Sequence, residues 1–218
     1  MRTEQDRSIE MTSEEYKKAP ARASSLPLWK TNSIAVPEGM LIVRDDGFTG
    51  VPEGFRDERY FKLVHRMKGL RPIPVPEGFT LVAPEASALS EHVAACYEEE
   101  RISPEALAER EKTPYFRAEL RIALADEGGT IAASGIAELD PEAGEGVLEW
   151  IEVSPGYRRM GLGRFIVNEL LLRLCGAEAP GAEFATVSGR ADSPHCPARL
   201  YKACGFGEEV IWHVMTRK

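Results

Sequence analysis

From residue 77 onward, apolar and polar positions alternate in two rhythms. Phe79 to Ala83 is a short apolar run entered through Val75-Pro76-Glu77-Gly78, which predicts a turn and then a strand. Leu89, Val93, Cys96 and Tyr97 recur at helical spacing within Ser87 to about Arg101. Ser103-Pro104-Glu105 restarts a helix, with Ser as N-cap, Pro in the first turn and Glu near the positive end of the dipole. Glu119–Ala125 and Thr130–Leu139 predict strands joined at Asp126-Glu127-Gly128-Gly129, a hairpin-type turn. Gly146–Val153 (GVLEWIEV) predicts a third strand, apolar on both faces except for Glu149 and Glu152. A helix from about Gly161 to Cys175, a strand at Phe184–Ser188, a short helix at Pro197–Cys204 and a strand at Val210–Thr216 complete the pattern. The order β-α-α-β-β-β-α-β-α-β predicts an α/β fold, a mixed sheet with helices on both faces.

The first half is less regular. Residues 1 to about 35 form a polar lead-in with one aromatic anchor, Trp29. Val36-Pro37-Glu38-Gly39-Met40-Leu41-Ile42-Val43 is echoed by Val75-Pro76-Glu77-Gly78-Phe79-Thr80-Leu81-Val82, with a shorter copy at Val51-Pro52-Glu53-Gly54-Phe55. The echo fits either a duplicated strand-entry unit or one convenient turn used again. Tyr60–Arg66 predicts a strand. Gly69–Pro76 holds three prolines, which fix φ and remove donors, and marks a boundary. The expected organisation is a lead-in at 1–35, an extension of strands and loops at 36–75 and a main domain at 76–218.

Composition narrows the partners. In 218 residues the net charge is −8, so a phosphate backbone is repelled and no nucleic-acid partner is expected. No apolar run approaches ~18 residues, so no membrane association is expected. The opening residues are charged throughout and lack the apolar core of a signal peptide. Cys96, Cys175, Cys196 and Cys204 contain no C-x-x-C pair, which favours reduced thiols in a cytoplasm over a disulfide framework or a metal site.

The stretch that carries chemistry is Val153-Ser154-Pro155-Gly156-Tyr157-Arg158-Arg159-Met160-Gly161-Leu162-Gly163-Arg164, between a strand and a helix. Glycines at a helix entry let a ligand approach the backbone. The first turn of the helix offers N–H groups without internal partners along a positive dipole. Arg158, Arg159 and Arg164 add charge there, so the segment suits an anion such as a pyrophosphate. It is neither a Walker A loop nor G-x-G-x-x-G with a downstream acid. The alternative is an ordinary Gly-containing turn with solvated arginines.

A second segment, Ala198-Arg199-Leu200-Tyr201-Lys202-Ala203-Cys204-Gly205-Phe206, follows in order. R-x-x-G-x-G, helix, strand, short helix, then L-Y-x-x-x-G-F resembles the GNAT acyltransferase superfamily over about residues 77 to 218. The resemblance implies a mostly antiparallel twisted sheet flanked by helices, with acetyl-CoA as co-substrate and no metal. It implies that Arg158, Arg159, Gly161, Leu162, Gly163 and Arg164 wrap the CoA pyrophosphate. Ile151 and Val153 would contact the cofactor, Val153 at a splayed strand that hydrogen-bonds the pantetheine. Gly205 would end the short helix, and Tyr201 would point at the sulfur. His195 stands where the family often has a cofactor-contacting Asn, so this chain departs from the pattern there. The family also contains members with a second, degenerate half, and the Pro-Glu-Gly echo fits a shortened one.

Transfer of an acetyl group to an amine needs a base, an oxyanion donor and an acid for the leaving thiolate. Tyr201 is the candidate acid, against a reading as a packed aromatic. A backbone N–H near Val153 is the candidate oxyanion donor. Glu149 and Glu152 are the candidate bases. Their spacing puts them on opposite faces of the strand unless a bulge intervenes, and Glu149 is favoured. Glu138 or a water are further options, whereas His213 is expected as a sheet histidine. The acceptor is expected to be a small-molecule amine or a protein amine, and homodimers are the commonest assembly. The tract Glu98-Glu99-Glu100 suits either a cationic acceptor or plain solvent. A non-catalytic acyl-CoA-binding module and an unrelated α/β domain are the competing readings.

Overall fold

Along the chain run α1 (Ser13–Lys18), β1 (Met40–Arg44), β2 (Phe55–His65), β3 (Phe79–Val82), α2 (Ala86–Cys96), α3 (Pro104–Glu111) and β4 (Arg121–Asp126). Then follow β5 (Ile131–Asp140), β6 (Glu145–Val153), α4 (Leu162–Gly176), β7 (Phe184–Arg190), α5 (Pro197–Ala203) and β8 (Gly207–Arg217). The structure, a computed structural model, describes residues 13–22, 39–97, 101–176 and 181–218. Trp29, the first Val-Pro-Glu of the echo and the Glu98–Glu100 tract lie outside the described residues. Two expected boundaries move for local reasons. Helix α2 stops at Cys96 because Tyr97 has extended backbone, and β4 starts late because Ala118–Leu120 forms a 3-10 turn.

The chain folds as two compact units, one holding the described residues up to His65 together with Thr186–Lys218, the other those of Arg66–Ala185. In the first unit the strand order is β1-β8-β2-β7. β8 pairs antiparallel with β1 through Met40↔Thr216 and with β2 through Phe55↔Arg217. Both strands of the expected extension therefore flank the strand that the sequence pattern grouped with the main domain. Phe61, Leu63, Tyr201, Phe206, Trp212 and Met215 bury the apolar surface of this unit. Gly189 permits the close packing, since a Cβ there would meet Phe61 Cζ at 2.8 Å.

The second unit carries strands in the order β6-β5-β4-β3, each neighbouring pair antiparallel. Helix α4 presses on one face because Gly135 and Gly146 present no side chain. A Cβ on Gly135 would meet Ile166 at 2.6 Å, and one on Gly146 would meet Leu174 at 2.5 Å. The opposite face holds Ile136 against Leu89 and Val93 of α2, Leu107 of α3 and Ile102 between them. Ser103 fixes the start of α3, its hydroxyl accepting the Ala106 N–H at 3.1 Å.

The feature of this unit that matters most for chemistry is a β-bulge. Ser134 pairs with Glu152 and Ile136 with Glu149, so the register slips by one residue on β6. Trp150 absorbs the slip at φ 52. The bulge brings Glu149 and Glu152 to one face, the face of Ser134, Ile136 and helices α2 and α3, rather than to opposite faces as a regular strand would.

Candidate anion-binding turn and neighbouring carboxylates

The turn between β6 and α4 is pinned at its entrance. The Ser154 N–H donates to the Ala132 carbonyl at 2.9 Å, and the Tyr157 N–H donates back to the Ser154 carbonyl at 2.9 Å, closing the 3-10 turn Pro155–Tyr157. The Tyr157 hydroxyl donates to Asp126 of the β4–β5 hairpin. That bond holds the Asp126 carboxyl below its ordinary range and pushes the Tyr157 phenol up. Phe79 meets the Tyr157 ring edge-on at 5.8 Å. At the exit, Leu162 and Phe165 are buried and the Phe165 N–H reaches the Gly161 carbonyl at 3.1 Å.

Between these anchors the backbone is open. Among the described residues, the amides of Gly161, Leu162, Gly163 and Arg164 have no backbone acceptor. They sit at the positive end of a fifteen-residue helix. Gly161 has φ +83, and a Cβ built on it meets nothing within 4 Å, so its backbone borders free space. Arg159, at φ 70, and Arg164 are exposed. Arg158 turns inward, its Nε donating to the Val153 carbonyl at 3.2 Å. Free amides, the positive end of a helix and two exposed arginines lie together along this turn, an arrangement that suits an anion.

The carboxylates made neighbours by the bulge are each engaged. Arg110 of α3 pairs with Glu149 and, at 3.3 Å, with Glu138. The Tyr97 hydroxyl donates to Glu152. Glu138 and Glu152 are buried, at 7% and 9% exposure. Arg110 engages one oxygen of Glu149 and one of Glu138, whereas Glu152 accepts from the Tyr97 hydroxyl.

Sequence patterning missed a third group. His92 of α2 is buried, its Nδ1 2.8 Å from Ser134 Oγ and its Nε2 2.9 Å from Ser154 Oγ. Burial lowers its pKa, partly opposed by a hydrogen bond with the Ala132 backbone. Cys96 lies with its sulfur 3.6 Å from His92 Nε2. Its thiol is pushed up to about 11 by burial and by the Glu152 charge, which keeps it protonated and a poor nucleophile at neutral pH. The available signal was a histidine three residues after Leu89 and next to Val93, on the apolar stripe of α2.

Tyr201 and His195 belong to the first unit and the other predicted site residues to the second. Tyr201 is 6% exposed, its ring tilted against Phe61 at 6.2 Å and edge-on to Phe206 at 5.8 Å. His195 stands exposed in the loop before α5, its N–H donating to Ser193 Oγ at 3.4 Å. Ile151 turns its side chain toward Gly135 on the α4 face, and Val153 is the last residue of β6. Among the described residues no group of three or more His, Cys, Asp or Glu is arranged to hold a metal, and no helix is long and apolar enough to cross a membrane.

Comparison with known proteins bears on this geometry. A family model described as the Acetyltransferase (GNAT) family matches residues 86–206. Among solved structures, the chain is similar to a GCN5-related N-acetyltransferase from Sphaerobacter thermophilus. The TM-score is 0.60 and the identity 20%, over 76% of this chain and 54% of that one. It is similar to a GCN5-related N-acetyltransferase from Kribbella flavida (TM-score 0.56, 16% identity, 81% of this chain and 67% of that one). It is also similar to an acetyltransferase from the GNAT family of Colwellia psychrerythraea (TM-score 0.55, 14% identity, 81% and 64%). The chain spans about half the length of the Sphaerobacter protein. These likenesses speak for the fold, and no curated protein matches the chain in sequence. The family match covers more than half of the chain, from the start of α2 through Phe206, and takes in both the bulged strand and the open turn; the chain therefore belongs to the GNAT acetyltransferase family.

Proposed function

We propose that the protein moves an acetyl group from acetyl-CoA to a primary amine, by direct attack while both are bound. Family membership supports acyl transfer in general. The observation that carries the finer reading is the turn, whose four open amides and adjoining arginines suit the diphosphate of CoA. Holding both substrates together removes the need for a covalent intermediate, and orientation alone lowers the barrier by several kcal/mol. The protonated thiol of Cys96 agrees with that economy, since it offers no acyl acceptor at neutral pH.

In this reading Glu149 and Glu152 are the carboxylates for the amine proton, now on one face, with Glu138 beside them. Tyr201 is assigned from the sequence motif as the acid for the leaving thiolate. The acceptor is a small-molecule or protein amine. Four free cysteines support a reducing, cytoplasmic setting. One observation favours the alternative of an acyl-CoA-binding module without turnover, namely that Arg110 occupies both Glu138 and Glu149.

Calorimetric titration with CoA, followed by thiol-release assays with acetyl-CoA and a panel of diverse amines, separates the readings. Binding with turnover is expected. Binding without turnover on any amine assigns the module. Absence of CoA binding removes both.

A further inference from the structure

We propose that His92 is a positioning residue for the anion-binding turn: its neutral ring pins Ser154, the pivot of the turn, to helix α2. This rests on reading the turn as the diphosphate site. Ser154 is the first residue after β6 and gathers several of the ties at that end of the turn. Its N–H donates to the Ala132 carbonyl at 2.9 Å, its hydroxyl to the Ile131 carbonyl at 3.3 Å, and its own carbonyl accepts the Tyr157 N–H. His92 adds a tie that reaches helix α2, Nε2 to Ser154 Oγ at 2.9 Å, beside a hydrogen bond between Ser154 and Cys96 of the same helix.

With the Ser154 proton on the Ile131 carbonyl rather than on the nearby Cys96 sulfur, its oxygen accepts from Nε2–H. Nδ1 is then bare and accepts the Ser134 hydroxyl at 2.8 Å. A second ring proton would turn the Ser134 hydroxyl away and leave a cation buried at 6% exposure. The titratable groups around this cluster are the Cys96 thiol from the same helix, Glu152 of β6 with Tyr97 upon it, and Arg158 of the turn. Among the described residues no carboxylate pairs with the ring. Burial correspondingly holds His92 below the ordinary imidazole range.

His92 touches neither substrate, yet its loss frees one end of the turn. The other end stays fixed by buried Leu162 and Phe165. Amides that no longer converge bind an anion less tightly, while chemistry on the bound complex is untouched.

The test is the dissociation constant of CoA at pH 8 for the full chain, with kcat measured at saturating substrates. His92→Leu should weaken binding about tenfold and Ser154→Ala about threefold, the scale of one lost buried hydrogen bond. The double variant should bind no worse than His92→Leu, because both remove the same tie. His92→Gln, which can donate and accept, should restore affinity to within about threefold of the original chain. kcat should stay within about twofold throughout. Between pH 8 and 5.5 the original chain should lose more affinity than His92→Gln. An affinity in Ser154→Ala equal to that of the original chain, together with a pH profile shared by the original chain and His92→Gln, would overturn the proposal, even if His92→Leu does not fold. Independent, multiplying losses would overturn it too. If the unaltered chain does not bind CoA, the proposed function fails first; if it binds and these variants bind alike, only the positioning role fails.

Discussion

His92 in the second unit and His213 in the first are hidden from water to a similar degree, at 6% and 4% exposure, but opposite chemistry holds them. His213 lies between two carboxylates, Nδ1 2.7 Å from Asp57 and Nε2 3.1 Å from Asp45, with Phe48 stacked on its ring at 3.6 Å. The arrangement ties the 3-10 turn Asp45–Gly47 to β8 and β2. His92 is held as a neutral ring by two hydroxyls and the Ala132 backbone, next to a turn whose amides have no backbone acceptor among the described residues. A buried ring bonded to two carboxylates and covered by an aromatic side chain serves the fold. One kept neutral beside open backbone donors serves whatever those donors await.

The largest effect that would break this contrast is at Gly161. Valine there adds side chain to the open turn and strains a backbone at φ +83, so CoA binding should fall by about a hundredfold or more. Gly156→Ala is the control. A Cβ there also meets nothing within 4 Å, but no positive φ is involved, so affinity should be unchanged. Equal binding by Gly161→Val would refute the diphosphate assignment.

Next is Tyr201→Phe. As an acid for the thiolate it should lower kcat about a hundredfold with little change in CoA affinity. Unchanged turnover would leave Tyr201 as the packed aromatic between Phe61 and Phe206. His213→Leu sharpens the comparison directly. It strands Asp57, whose other oxygen is already buried without a partner among the described residues, and should destabilise the protein by about 3 kcal/mol in urea unfolding. CoA affinity measured well below the melting range should not move. A loss of affinity without a loss of stability would reverse the roles assigned to the two histidines.

The smallest effect is on pH. His65 and His92 are both lowered from 6.5 by burial. The unfolded chain therefore binds more protons than the folded one between their depressed values and 6.5, so stability rises with pH across that window and falls on acidification. The urea midpoint should be lower at pH 5.5 than at 7.5, and the drop should shrink in His92→Gln. A midpoint that rises on acidification would contradict the burial of both rings as neutral groups.

Local order was legible and non-local geometry was not. Ser103-Pro104-Glu105 and Asp126-Glu127-Gly128-Gly129 announce their structure within a few residues, and the caps and turn form where expected. The open turn was legible too, because glycines at a helix entry act through backbone alone. The bulge was not. Its positive φ falls on Trp150, a residue that signals no such backbone, so the shared face of Glu149 and Glu152 appears only in the pairing register. The two hydroxyls on His92 come from positions 42 and 62 residues away, beyond any periodic pattern. The flanking of β8 by β1 and β2 joins opposite ends of the chain, which turn chemistry does not encode.

The most direct test of the central claim follows the backbone amides themselves. In ¹⁵N–¹H spectra recorded while CoA is added, Gly161, Leu162, Gly163 and Arg164 should show the largest shifts in the chain, and pantetheine, which lacks the diphosphate, should leave them in place. If CoA binds while these four signals stay still, or if pantetheine moves them equally, the turn is not where the diphosphate is held.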